Sequence, residues 1–83
     1  MTADIRELIS KHGNLSVDVA TLADEADLYA AGLSSFASVQ LMLSIEDAFD
    51  IEFPDRMLNR RSFASIAAIQ ACVDELTADR KAA

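Results

Sequence analysis

Apolar residues recur at helical spacing in three separate parts of the chain, which predicts three main helices. The first is predicted over residues 3–12, with Thr2 as its N-cap and Gly13 directly after its end. The positions that repeat in this segment are Ile5, Leu8, Ile9 and His12. Their spacing predicts one buried stripe along the helix.

The second helix is predicted to begin at Ser34 or Ser35 and to continue to about Phe49. Its apolar residues fall on two faces, which together cover more of the helix than one core contact requires. One face comprises Leu41, Met42, Ile45, Ala48 and Phe49, and the other comprises Phe36, Val39 and Leu43. The second face is therefore a candidate either for ordinary core packing or for contact with a partner.

Pro54 interrupts the helical pattern, and a short helical turn over residues 55–59 is expected to follow it. The last helix is predicted from about Phe63, capped by Ser62, to Ala78. Its core stripe is Ile66, Ile69, Val73 and Leu76. The tail over residues 79–83 is expected to fray, as chain ends commonly do.

A long connection over residues 14–34 joins the first two helices. Loops longer than about fifteen residues are unusual in a compact domain and are usually functional or pinned by their apolar residues. Apolar residues recur throughout this one: Leu15, Val17, Val19, Leu22 and Leu28. We therefore expect an ordered loop that packs over the helices.

Composition agrees with a helical fold. The chain has 83 residues, of which 52% are hydrophobic and 25% charged, a globular balance with room for one domain. It contains two Gly, one Pro and no Trp, too few turn residues for a β-sandwich or barrel. The expected fold is all-α: a single domain over residues 1–83, a bundle of three main helices and one short helix, with the long ordered loop between helices 1 and 2.

Charge limits the choice of partner. The net charge is −7, and no Lys or Arg occurs between His12 and Arg56. Nine acidic residues lie in that stretch: Asp18, Asp24, Glu25, Asp27, Glu46, Asp47, Asp50, Glu52 and Asp55. Such a field repels nucleic acid and anionic membrane surfaces, so the expected partner is a basic protein. Arg56, Arg60 and Arg61 follow the acidic stretch.

The sequence offers no export signal and no catalytic set. The N-terminal residues lack the apolar run of a signal peptide, and the uncharged stretch 28–45 is too rich in Ser, Gly and Gln to cross a membrane. One His and one Cys do not make a zinc site, and Cys72 fits a small core position. We therefore expect a monomeric, cytoplasmic protein without a metal site or an enzymatic activity of its own.

Residues 27–55 combine a serine at a helix start with acidic, aromatic and proline residues further along the chain. Ser35 follows an Asp-Leu-containing loop, and it precedes an acidic pair (Glu46 and Asp47), Phe49 and Pro54. A phosphodiester on a serine at this point would lie where backbone N–H groups and the helix dipole favour negative charge. The alternative is that Ser34 and Ser35 serve only as N-cap candidates, a common role for serine.

This segment resembles the acyl carrier protein superfamily, and the resemblance covers roughly residues 22–69. It implies that Ser35 carries 4′-phosphopantetheine and that the protein holds its cargo on that arm as a thioester. The run from Gly32 to Met42, Gly-Leu-Ser-Ser-Phe-Ala-Ser-Val-Gln-Leu-Met, is more similar to the stand-alone aminoacyl and D-alanyl carrier proteins. Ser34 and Phe36 stand where many members have Asp and Leu. The cargo implied is an amino acid loaded by a separate ligase.

The resemblance also implies partners and a surface that meets them. The partners are a phosphopantetheinyl transferase, an amino acid:carrier protein ligase or another acyl-loading enzyme, and a downstream acceptor enzyme. The residues that match the family's partner face are Ser34, Phe36, Val39, Gln40, Leu43, Glu46 and Asp47. Three other functions stay open on the sequence: a fatty-acid or polyketide acyl carrier, an acidic helical adaptor that binds a basic protein without modification, and a small regulatory subunit that has only the carrier fold.

Overall fold

The structure, a computed structural model, describes the backbone of residues 5–82 and the side chains of residues 5–78. Within these residues the chain forms three α-helices and no strand. The helices are α1 (Ile5–His12), α2 (Ser35–Phe49) and α3 (Ile66–Ala82). Three short 3-10 helices, Val19–Thr21, Asp55–Met57 and Arg60–Phe63, lie in the connections. The predicted all-α architecture is confirmed, and the predicted cap Thr2 lies outside the described residues.

Each α-helix contributes one apolar stripe to a shared core. The buried residues of the helices are Ile5, Leu8 and Ile9 of α1, Ala37, Leu41 and Ile45 of α2, and Ile66, Ile69 and Val73 of α3. Leu76 packs against this core as a half-buried side chain. His12 and Ala48, predicted within core stripes, are exposed instead. Both occupy the margin of a stripe, where a small rotation of the helix turns a side chain outward.

The long connection is ordered and packs over the helices, as predicted. Val19, Leu28 and Leu33 are buried in the core, whereas Val17 is exposed and does not pin the loop. Backbone hydrogen bonds tie the loop to the beginning of α3: Leu28 N–H donates to the Ala64 carbonyl (2.7 Å) and Ala67 N–H to the Asp24 carbonyl (2.9 Å). The Arg6 side chain adds a tie from α1, through an ion pair with Asp24 (2.6 Å) and a hydrogen bond to the Val19 carbonyl (2.9 Å). These bonds satisfy backbone groups that a packed loop would otherwise leave unpaired.

The start of the last helix was predicted incorrectly. Ser62 does not cap α3, because it lies within the 3-10 helix Arg60–Phe63, where its hydroxyl donates to the side chain of the N-cap Asn59 (3.3 Å). Phe63 is buried against Phe53, with ring centroids 5.4 Å apart. The chain reaches α3 only after this aromatic contact, and the Ser65 hydroxyl accepts from the N–H of Ala68 (3.0 Å).

The other boundaries differ by a few residues. The short turn after Pro54 ends at Met57 rather than at Asn59, and Met57 is buried in the core. The α3 backbone continues to Ala82, past the predicted end at Ala78. Fraying of the last residues stays a prediction. Among the residues that the structure describes, no helix is both long enough and apolar enough to span a membrane.

Candidate functional site

Three serines occupy the beginning of α2, and the structure gives them different roles. Ser34 is the N-cap, with extended backbone (φ −86°, ψ 165°), and its hydroxyl accepts from the N–H of Ala37 at 3.0 Å. The Ser38 hydroxyl donates to the Ser35 carbonyl at 2.7 Å. The Ser35 side chain is exposed, and among the described residues its hydroxyl makes no hydrogen bond. Ser35 is therefore the member of this group whose oxygen is open to reaction.

The turn before α2 is held in one conformation. Gly32 has φ +114°, a region that disfavours residues with a Cβ, and a Cβ added there would lie 3.1 Å from both the backbone nitrogen and the hydroxyl of Ser16. The Ser16 N–H and hydroxyl both donate to the Ala31 carbonyl, at 3.1 and 2.9 Å. Leu33 is buried, and its N–H donates to the Leu28 carbonyl at 3.0 Å. This packing fixes the direction from which the chain enters α2 and presents Ser35.

The first turn of α2 suits a phosphate group. No acidic residue lies in that turn, and the N–H groups at a helix start have no partner within the helix. Ser34 accepts the N–H of Ala37. Because α2 begins at Ser35, the positive end of the helix dipole lies next to the Ser35 hydroxyl. The residues present therefore fit a phosphodiester joined to Ser35, the group that phosphopantetheine requires.

An open groove of about 400 Å³ lies beside Ser35. One wall is α2, and the other is the segment that contains the 3-10 helix Arg60–Phe63. The lining residues are Tyr29, Ser35, Ser38, Val39, Met42, Leu58, Asn59, Arg60 and Phe63. Because Ser35 lines this groove, a group attached to its hydroxyl emerges next to a partly apolar surface.

Sequence analysis did not identify a contact that forms part of this groove. The Arg60 guanidinium lies over the Tyr29 ring, 3.8 Å from the ring centroid, and the Tyr29 hydroxyl donates to the Arg60 carbonyl at 3.2 Å. The two residues are 31 positions apart, and Arg60 lies outside the segment 27–55 that contains Tyr29. No periodicity or spacing in the sequence could have indicated that they meet.

The second apolar face of α2 points outward. Phe36, Val39 and Leu43 are 74%, 50% and 51% exposed, so ordinary core packing does not account for them. Gln40 and Asp47 on the same helix are exposed too. The structure thus brings five of the seven predicted partner-face residues together on an uncovered helix surface, beginning directly after Ser35.

Glu46 differs from these five residues, because its carboxylate is engaged within the protein. Its Oε2 accepts from the Phe53 N–H at 2.8 Å, and its backbone carbonyl accepts from Ile51 at 3.0 Å. Asp50, the C-cap of α2, adopts the left-handed conformation (φ 54°, ψ 52°) and also donates its N–H to the Glu46 carbonyl. Glu46 therefore closes the C-terminal end of α2, whereas its neighbour Asp47 points to solvent.

Other groups with possible chemistry lie apart from this site. His12 is exposed at the end of α1. Cys72 is half-buried and packs against the core, which confirms the prediction for that residue. Within the described part of the chain, no three His, Cys, Asp or Glu side chains come together as a group that could hold a metal ion.

Comparison with known proteins places the chain in a family. The family model described as "Phosphopantetheine attachment site" matches residues 3–69. An aminoacyl carrier protein from Agrobacterium fabrum is 65% identical, over the whole of both chains. The carrier protein from Agrobacterium tumefaciens, crystallised with an engineered Bradyrhizobium japonicum glycine:carrier protein ligase and AMP, gives 71% identity and a TM-score of 0.82, over 84% of this chain and 93% of that one. A solution structure from Agrobacterium tumefaciens gives 65% identity and a TM-score of 0.74, over the whole of both chains.

These findings confirm the resemblance inferred from residues 27–55. The family's cofactor is 4′-phosphopantetheine, and the exposed Ser35 hydroxyl at the start of α2 fits its phosphate. The similarity to an aminoacyl carrier extends over the full length of both chains. The chain belongs to the phosphopantetheine-bearing carrier proteins and, within them, to the aminoacyl carrier proteins.

Proposed function

We propose that Ser35 is the attachment point of 4′-phosphopantetheine and that the arm carries an amino acid as a thioester, loaded by a separate ligase. The observation that carries this proposal is the state of the three serine hydroxyls at the start of α2. Those of Ser34 and Ser38 are held by the backbone, whereas that of Ser35 is exposed and unengaged.

The residues around Ser35 orient and stabilise the attached group rather than react with the cargo. The terminal thiol of the arm supplies the thioester chemistry when the group is attached. The Ser35 Oγ provides the ester oxygen, and the N-terminus of α2 stabilises the phosphodiester charge. Gly32 and Leu33 hold the preceding turn, so that Ser35 is presented at a fixed place on the surface. The protein itself is expected to catalyse no reaction.

An amino acid is favoured as cargo over a long acyl chain. The carrier from Agrobacterium tumefaciens that is 71% identical was crystallised with an engineered ligase that is named a glycine:carrier protein ligase. A small amino acid has little apolar surface to bury, and its protonated amine resists transfer out of water. We therefore propose a small amino acid, such as glycine, held outside the helices within reach of partner enzymes.

The exposed face of α2 is the proposed docking surface for those enzymes. Phe36 and Leu43 give it apolar contact area, and Asp47 gives it negative charge near the C-terminal end of α2. A basic partner surface would approach this side of a protein of net charge −7 at an increased rate. The proposed partners are a phosphopantetheinyl transferase, an amino acid:carrier protein ligase and a downstream acceptor enzyme, met by a monomer in the cytoplasm.

The test compares single serine variants after incubation with a phosphopantetheinyl transferase and coenzyme A. We expect intact-mass spectra to show one added arm on the wild type and on Ser38→Ala, and none on Ser35→Ala. Ser38→Ala is the matched control, because it removes a hydroxyl from the same turn of the helix. Circular dichroism should show that Ser35→Ala stays folded, since its hydroxyl makes no internal bond among the described residues.

Two results would contradict this function. Full modification of Ser35→Ala would move the attachment point to another serine. A wild type that binds basic proteins but takes no arm would favour the unmodified acidic adaptor instead.

A further inference from the structure

The groove beside Ser35 combines apolar walls with one charged side chain. Val39, Met42, Leu58 and Phe63 supply apolar surface, of which Val39 and Leu58 are about half exposed. An uncharged acyl group at the end of a Ser35-linked arm would lose contact with water by lying against this surface, which is favourable. If its apolar surface were the only factor, the groove would accept any small acyl cargo.

Arg60 changes this expectation because it places a positive charge at a fixed position in the groove wall. Its guanidinium stacks on Tyr29, 3.8 Å from the ring centroid, and the Tyr29 hydroxyl holds the Arg60 backbone carbonyl. Stacking on an aromatic face is a favourable arrangement for a guanidinium, which also keeps its charge at all physiological pH values. A permanent positive charge is therefore held at the wall of the groove.

The neighbouring arginines do not share this position. Arg56 forms an ion pair with Glu75 at 2.7 Å, and neither Arg56 nor Arg61 lines the groove. The described residues that do line it include no carboxylate that could neutralise Arg60. Arg60 thus supplies a positive charge on the wall that faces α2, whereas a phosphodiester on Ser35 would lie on the α2 wall.

We propose that Arg60, held over Tyr29, excludes the protonated amine of an aminoacyl cargo from the groove and so keeps the thioester outside, available to partner enzymes. This makes Arg60 a specificity-determining residue, and the inference rests on the proposed attachment at Ser35. An ammonium group that entered the groove would lose hydration and approach a like charge. A neutral acyl group of the same size meets neither penalty and lies against Val39, Met42 and Leu58.

The test uses two arms of equal size that differ in charge. Glycyl and propionyl groups are joined to the arm through an amide in place of the thioester, which prevents hydrolysis, and each arm is attached to isotope-labelled protein. NMR spectra then compare the methyl signals of Val39, Met42 and Leu58 with those of the protein bearing the bare arm. In the wild type we expect the propionyl arm to shift these signals and the glycyl arm to leave them nearly unchanged.

Two arginine variants separate the role of Arg60 from a general charge effect. In Arg60→Gln we expect the glycyl arm to shift the groove signals by at least about twofold more than in the wild type. Two like charges about 10 Å apart in water change a population by about that factor, and closer charges change it by more. Arg61→Gln removes the same charge from the neighbouring residue outside the groove, so its spectra should match those of the wild type. High salt should reduce the difference between wild type and Arg60→Gln.

Each remaining outcome counts against the inference. Equal glycyl shifts in the wild type and in Arg60→Gln, with the arm attached at Ser35 by mass spectrometry, would overturn the role of Arg60 and leave the proposed function intact. Equal effects of Arg60→Gln and Arg61→Gln would do the same, because they would indicate overall charge. Failure to attach any arm to Ser35 would overturn the proposed function and this inference together.

Discussion

Glu46 and Asp47 are adjacent acids on α2, and the structure predicts that their replacement has different effects on stability. The Glu46 carboxylate accepts from the Phe53 N–H at 2.8 Å, next to a buried aromatic ring, whereas Asp47 is exposed to solvent. Glu46→Ala should therefore lower the free energy of unfolding, and Asp47→Ala should not.

The size of the effect follows from the bond that is lost. A hydrogen bond to a charged group contributes about 1.5–3 kcal/mol, and an unsatisfied donor costs about 1–3 kcal/mol. Glu46 is half-buried, so water can reach part of the site, and we take the lower portion of this range, about 1–2 kcal/mol. For a domain of this size that loss lowers Tm by roughly 5–15 °C. A domain of this length has roughly 4–12 kcal/mol of stability, so the variant still folds.

Thermal unfolding followed by circular dichroism measures the difference. Glu46→Gln is the conservative control: it keeps an acceptor oxygen for the Phe53 N–H and loses only the charge, so it should retain part of the stability. Asp47→Ala should change the free energy of unfolding by no more than about 0.5 kcal/mol, as surface substitutions usually do. Equal Tm values for Glu46→Ala and Asp47→Ala would refute the assignment of Glu46 to the end of α2.

Three further predictions concern the presentation and recognition of Ser35. Asp47→Lys should slow modification by a phosphopantetheinyl transferase at low salt while leaving Tm unchanged, and an unaltered association rate would place the electrostatic contact elsewhere. Gly32→Ala should lower Tm, because φ is +114° and the new Cβ would meet Ser16 at 3.1 Å; a Tm equal to that of the wild type would show that the turn adapts. Phe36→Ala should keep Tm within about 2 °C because the ring is 74% exposed, yet weaken ligase binding in a titration; undiminished affinity would remove Phe36 from the docking surface.

The bounds of α2 were accessible from the sequence because local signals agree there. Ser34 is a good N-cap, apolar residues follow at helical spacing, and Pro54 lies shortly after the predicted end. The exposed second face could be recognised for a related reason: the helix carries more apolar positions than one core contact can cover. What periodicity left undecided was whether Val39 is buried, since that depends on which elements pack nearby.

The start of α3 could not be predicted because two candidate caps compete. Ser62 and Ser65 are equally suitable by residue type, and the choice between them follows from the burial of Phe63 against Phe53. That contact joins residues ten positions apart through tertiary packing. The engagement of Glu46 with the Phe53 N–H has the same origin, since a sequence pattern cannot tell whether a helical acid turns toward solvent or back to a following loop.

The most direct test of the account is to locate the arm on the wild-type protein. The protein is modified with a transferase and coenzyme A and digested, and the peptide that contains Ser34, Ser35 and Ser38 is sequenced by tandem mass spectrometry. The structure predicts that the added mass resides on Ser35, the one of these three with an exposed hydroxyl that makes no hydrogen bond among the described residues. An arm on Ser34 or Ser38, or a peptide that stays unmodified, would contradict the central claim.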